Sequence, residues 1–259
     1  MSSVLTALRV LEEVATQQPV GVSDLTLRLQ LPKSTVQRAL GSLHAAGWLR
    51  PAGSEPRRWL VTSRALHVGL RAAGELGLRD AAIPVMEELL RRTDETIHLM
   101  VPEGTKMVLI ERLETPKPVR IVIPLGGSAP IHASSNGKAF LASSRREDVE
   151  RLLPPTLPGY TETTTLNRSD LLSELEKVRL RGYAINSAEW RDDICAVAAP
   201  ILGPEGAPIA SISISTPINR MPEELQPTYG ALVQRAAQNI SQALGRPLSA
   251  TLTRDAHIS

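Results

Sequence analysis

Apolar residues at Val4, Leu5, Leu8, Val10, Leu11 and Val14 recur at helical spacing and predict a first helix that ends before Gln18-Pro19. Ser23 suits the N-cap of a short second helix over roughly 24–29, and Gln30-Leu31 makes a turn. Pro32 fits the first turn of a third helix, where its missing N–H costs nothing. In that helix Val36, Leu40 and Leu43 form the buried stripe, so Ser34, Gln37 and Arg38 point elsewhere. The stretch AAGWLRPAGSEPRRWLVT then places two short extended runs around a Gly/Pro/Ser tip, the pattern of a β-hairpin. Three helices with a tight turn between the second and third, followed by a hairpin, predict a winged helix-turn-helix over residues 1–62.

Residues 63–78 are helical and rich in small side chains, and read as a linker. An amphipathic helix is predicted from Asp80 to Arg92, with Pro84 in its first turn. Three strand-like runs follow, TIHLMVP, KMVLIERL and PVRIVIPL, and then a Gly/Pro-rich segment, GGSAPIHASSNGKAFLAS, that leads into a helix. Two more helices precede strands near GYAINS, ICAVAAPIL and PIASISIS, and a long last helix runs from about Pro222 to Leu244. Strands grouped with helices outside them predict an α+β domain with a largely antiparallel sheet over 79–247, and 248–259 reads as a flexible tail.

Charge separates the two parts. Residues 1–60 hold seven Lys/Arg against four acids, whereas 79–259 hold 20 basic and 22 acidic residues, so a polyanion partner is expected for the first part only. The single cysteine excludes an intramolecular disulfide framework, and no apolar run is long enough to span a bilayer, so a cytoplasmic location is expected. A helix that enters the major groove by its amino end needs phosphate donors first and base-reading side chains one turn on. Lys33, Ser34 and Thr35 supply the former, and Gln37 and Arg38 the latter, with Arg57 and Arg58 on the wing for the backbone. Double-stranded DNA is therefore the expected partner.

The ordered set LPKSTVQRAL, PLGGSAPIHASSNGKAFLA, RGYAINSAEW, AVAAPI and SISISTPINRM resembles the IclR-type bacterial transcriptional regulators over nearly the whole chain. The resemblance implies a winged-helix DNA-binding domain, a linker helix, and an effector domain of GAF-like fold. It also implies homodimers joined through the DNA-binding domains, often paired into tetramers, on palindromic operators. Carried over by position, it implies an effector cleft that uses Ser134, Ser135, Asn136 and Gly137 before the GKA helix, with Ser213 and Ser215 on the sheet. Those two serines alternate, so both face one side of the strand. Either a small carboxylate or aromatic metabolite answers them, or they satisfy each other or a buried water. Trp190 stands between two of these segments, as a cavity wall or as a structural residue.

Three positions depart from the family pattern. Ala196 stands where the family often has Cys, and Cys195 lies one residue earlier, which turns its thiol to the opposite face. Asn186 replaces a usually acidic pocket residue, and Gln30 replaces the usual turn glycine. Other chemistry has little support. His132, Ser134 and Lys138 offer a Ser-Lys pair without a nucleophile elbow, and His98, His132 and Glu111 show no ligand-pair spacing for a metal. No enzyme activity, cofactor or metal is expected.

Overall fold

The computed structural model describes residues 3–53, 58–65, 68 and 76–245, in two compact units divided between Leu76 and Gly77. Arg57, most of the expected linker and the whole of the expected tail lie outside the described residues.

The first unit contains helices α1 (Ser3–Gln17), α2 (Val22–Leu29) and α3 (Lys33–Ala45), and a small antiparallel sheet. Its strands β1 (Val20–Gly21), β2 (Leu49–Pro51) and β3 (Arg58–Val61) lie in the order β1-β3-β2. Val10, Val14, Leu25, Val36, Leu40, Leu43 and Leu49 form its core. Two caps differ from expectation. Gly21, already extended by its pairing with Arg58, caps α2, so Ser23 falls inside the helix. Pro32 stands at the N-cap of α3, and its carbonyl accepts from the Thr35 and Val36 N–H groups at 2.9 and 3.1 Å. Gln30 makes the turn in the left-handed region, at φ 53° and ψ 41°, where glycine is usual.

The second unit opens with α4 (Leu76–Thr93), followed by β4 (Thr96–Glu103), β5 (Lys106–Leu113) and β6 (Ser128–Pro130). Helices α5 (Ser135–Ser143), α6 (Arg146–Leu152) and α7 (Arg168–Arg181) come next. Strands β7 (Ala184–Ser187), β8 (Ile194–Leu202) and β9 (Pro208–Pro217) precede the last helix, α8 (Gln226–Leu244). The six strands form one sheet, β6-β5-β4-β9-β8-β7, with antiparallel neighbours throughout. Period-2 alternation divides its side chains between two cores. Ile97, Leu99, Val197, Ile212 and Ile214 pack with Met86 of α4 and Val233 and Ile240 of α8. Met100, Met107, Leu109 and Ala198 face Phe140 and Leu141 of α5 and Leu171 and Leu175 of α7.

Three expectations for this unit need correction. Pro84 lies deep inside α4 rather than in its first turn; the buried Leu78, Ala82, Met86 and Leu89 hold the helix together across the missing N–H. PVRIVIPL is not a strand. The Gly126 N–H donates to the Leu109 carbonyl and the Leu109 N–H to the Gly127 carbonyl, both at 2.8 Å, and β6 pairs with Lys106–Val108. That edge of β5 is therefore taken, and Ile121 and Ile123 are buried by an unpaired segment while Val119, Val122 and Leu125 stay exposed. The last helix begins at Gln226, after two short 3-10 turns, Ile218–Arg220 and Glu223–Leu225. Among the described residues no helix is long and apolar enough to cross a membrane.

Candidate functional site

In the first unit, burial of Val36, Ala39, Leu40 and Leu43 turns Lys33, Ser34, Gln37 and Arg38 to solvent, with Thr35 half-buried beside them. No side chain caps α3, so its amino end keeps N–H donors and the positive end of the helix dipole free for an anion. Thr35 and Arg38 also border a groove against Ser3, Val4 and Ala7 of α1. Arg58 spends one N–H on the Pro19 carbonyl at 3.0 Å. The hairpin places Arg50 and Arg58 on adjacent strands, both exposed.

In the second unit a small cavity lies between the sheet and the start of α5. Register builds its floor. Asn186, Ala196 and Ser215 are successive cross-strand partners on β7, β8 and β9. His98, on β4, brings its Nδ1 to 3.1 Å from the Ser215 hydroxyl. Ser134, Ser135 and Asn136 supply the wall from α5, Trp190 a further wall, and Met100, Ile121, Ile123, Ala129 and Ile194 the apolar remainder. Among the described residues no Lys, Arg, Asp or Glu lines it.

Seven of the nine residues expected here meet in this cavity; Gly137 and Ser213 do not line it. Both support it from behind. A Cβ on Gly137 would lie 1.9 Å from the Ile131 carbonyl oxygen, so only glycine lets α5 start so close to the preceding segment. Ser213 is fully buried, its hydroxyl 3.5 Å from that of Ser215. The Ser134 hydroxyl accepts from the Gly137 N–H and donates to the Pro130 carbonyl, which leaves Ser135 and Asn136 to present free N–H groups. Asn136 ties α5 to the sheet through Nδ2, which donates to the Ser211 hydroxyl at 3.0 Å. Cys195 packs against Met221 in the other core, on the face away from the cavity.

Trp190 is held in place by its neighbours. Lys138 Nζ, buried, donates to the Glu189 carboxylate at 2.5 Å, and the Thr161 and Thr164 hydroxyls donate to the Ala188 and Glu189 carbonyls at 2.7 and 2.6 Å. Burial raises the Glu189 pKa, and the Lys138 charge opposes that shift. The same bonds remove the Ser-Lys pair as a catalytic arrangement, since the amine serves Glu189 and the Ser134 hydroxyl serves Pro130. A second cavity, lined in part by Lys106, His132 and Tyr160, shares Ala129 and Trp190 with the first. His132 Nε2 lies 3.0 Å from the Pro158 carbonyl, and Glu111 is paired with Arg79. No group of three potential metal ligands occurs among the described residues.

The residue that sequence reasoning passed over as part of the cavity is His98. The signal was present: in TIHLMVP the apolar Ile97 and Leu99 flank it, so alternation sends it to the face that carries the serines. Burial, reinforced by the Arg112 charge and opposed by Glu114, lowers its pKa from 6.5 to about 4. The unfolded chain therefore binds a proton between these values that the native chain does not. Stability is full above pH 6.5 and falls as pH drops toward 4, by about 3 kcal/mol at roughly 1.36 kcal/mol per pH unit. His132, also lowered by burial, acts in the same direction, and Glu189 in the opposite one. Urea midpoints measured from pH 7 to 4 should fall less steeply in His98→Asn than in the parent; parallel curves would contradict the assignment.

Comparison with known proteins bears on both units. The model of the IclR helix-turn-helix domain matches residues 3–53, and that of the bacterial transcriptional regulator IclR C-terminal matches 70–242. Transcriptional repressor IclR of Escherichia coli K12 is 30% identical over 249 residues, which cover 95% of this chain and 90% of that one. The crystal structure of the Thermotoga maritima IclR superposes with a TM-score of 0.80 at 26% identity, covering 94% of this chain and 98% of the other. An IclR homolog from Microbacterium hydrocarbonoxydans, solved in complex with 4-hydroxybenzoate, gives 0.79 at 27% identity, over 94% and 99%. The chain belongs to the IclR family of bacterial transcriptional regulators, a helix-turn-helix DNA-binding unit followed by an effector domain.

Proposed function

We propose that this protein binds a palindromic operator through α3 and the hairpin, and that a small organic acid or aromatic metabolite in the cavity sets its affinity for that DNA. The observation that carries the second half is the convergence of the α5 amino end with the inward row Asn186–Ala196–Ser215 in one cavity. The 4-hydroxybenzoate in the Microbacterium homolog supports a ligand of this chemistry. A ligand there alters DNA binding only by favouring one arrangement of the protein over another.

Residues 1–62 form the DNA-binding domain in this reading, 63–78 the linker and 79–247 the effector domain, and the work is cytoplasmic. Val4, Leu5 and Leu8 leave α1 with an apolar stripe, 65%, 56% and 48% exposed, which supports a homodimer, or a dimer of dimers, joined through this unit. Lys33, Ser34 and Thr35 meet phosphate, and Gln37 and Arg38 meet base edges.

A mobility-shift assay with DNA flanking the gene tests the DNA half. Arg38→Ala should weaken specific binding by about 1–3 kcal/mol and relax base preference. Arg58→Ala should instead weaken binding to every sequence and lower the salt dependence. Equal loss of specific and nonspecific binding in Arg38→Ala would show that Arg38 touches only phosphate.

A further inference from the structure

The second cavity of the effector unit has only Ala129 and Trp190 in common with the one at the start of α5. Its volume is about 250 Å³, close to the lower end of the range for small-molecule sites. β6, the edge strand of the sheet, lines it together with the turn that joins β4 to β5 and the segment between α6 and α7.

Its charge is of one sign. Lys106 is exposed and forms no ion pair among the described residues, and no Asp or Glu among them lines the cavity. The hydroxyls of Thr105, Ser128 and Tyr160, on the same lining, also have no partner among the described residues. His132 adds no charge at neutral pH. Burial lowers its pKa, and its Nε2 donates to the Pro158 carbonyl at 3.0 Å, which leaves Nδ1 as an acceptor. One ammonium among neutral hydroxyls, with no carboxylate beside it, suits a ligand that carries one negative charge.

The rest of the lining is made of rings. The His132 and Tyr160 rings lie 5.8 Å apart at 35°, and Trp190 is half-buried. Hydrogen bonds to the backbone hold the Tyr160 and Trp190 segments together. The Thr161 hydroxyl donates to the Ala188 carbonyl at 2.7 Å, and the Thr164 hydroxyl to the Glu189 carbonyl at 2.6 Å. The wall is therefore set before a ligand arrives, which cuts the ordering cost of binding. An aromatic ring, or the C–H face of a sugar ring, packs on such a surface.

We propose that this cavity is a second binding site, for a small monocarboxylate built on a single ring, with the carboxylate on Lys106 and the ring against Tyr160 and Trp190. The site stands apart from the one in the proposed function and does not depend on it. Through Trp190, an occupant here adjoins the other cavity.

Calorimetric titration of the full chain tests this with two ring acids, benzoate and glucuronate. Their uncharged counterparts are benzyl alcohol and glucose, and acetate carries the charge without the ring. At least one ring acid should bind about tenfold more tightly than its counterpart and than acetate, the weight of hydrogen bonds to a charged group. Which acid binds separates an aromatic source from a sugar source. The Lys106 side chain makes no bond among the described residues, so Lys106→Gln leaves the fold intact and should weaken that acid about tenfold. Tyr160→Leu should weaken it as well. The double change Ser213→Ala, Ser215→Ala, in the other cavity, should leave its affinity within about twofold. Binding by neither acid, or full affinity in Lys106→Gln, would overturn the proposal. Loss in the serine double variant alone would also overturn it and would place the acid in the cavity at the start of α5.

Discussion

Gly137→Ala should cost more than about 4 kcal/mol and leave the effector unit largely unfolded, the range reached when a buried contact has no room to relax. The added Cβ would lie 1.9 Å from the Ile131 oxygen and 2.5 Å from its carbonyl carbon, and both are backbone atoms. Neither side of the contact yields easily. Residues 135–142 of α5 are all buried, the Ser134 cap fixes the helix start, and Ile131 is fully buried. Gly41 provides the control, since a Cβ there meets nothing within 4 Å and its position in α3 is helical. Gly41→Ala should be neutral or stabilising by about 0.5–1 kcal/mol. Urea unfolding followed by circular dichroism distinguishes them. A Gly137→Ala protein within about 1 kcal/mol of the parent would show that α5 does not start against Ile131.

The role of Gly137 also illustrates what the sequence could and could not convey. Its place in SSNGKAF marked it for the site, but only the packing distance shows that its missing Cβ brings α5 close to Ile131. The helices of the first unit were legible because their apolar spacing is regular, and the turn survived the loss of its glycine because Gln30 adopts the left-handed conformation. Alternation alone sent Cys195 away from Ala196, and the observed cores agree. The same alternation misled at PVRIVIPL, where Ile121 and Ile123 do point inward. Strand formation needs a free edge as well as a pattern, and residues 126–130 already occupy that edge of β5. The Lys138–Glu189 pair that anchors the Trp190 segment was illegible, since 51 residues separate its members and neither of the motifs that carry them points to the other.

The second large effect concerns coupling. A saturating ligand in the cavity should change the operator dissociation constant by about 5–150-fold, the usual span of allosteric coupling. The sign depends on which arrangement of the protein the ligand favours. Ser215 is central because it sits in the cavity floor and holds His98 at 3.1 Å, while Ser213 backs it at 3.5 Å. The double change Ser213→Ala, Ser215→Ala removes both hydroxyls and leaves His98 Nδ1 without its partner. It should therefore abolish the ligand response. The most direct measurement is the affinity of the full chain for DNA flanking its gene, with and without saturating 4-hydroxybenzoate, in the parent and in this double variant. A ligand-dependent shift of at least fivefold is expected in the parent and none in the variant. An unchanged affinity in the parent at saturating ligand, or the same shift in both proteins, would contradict it.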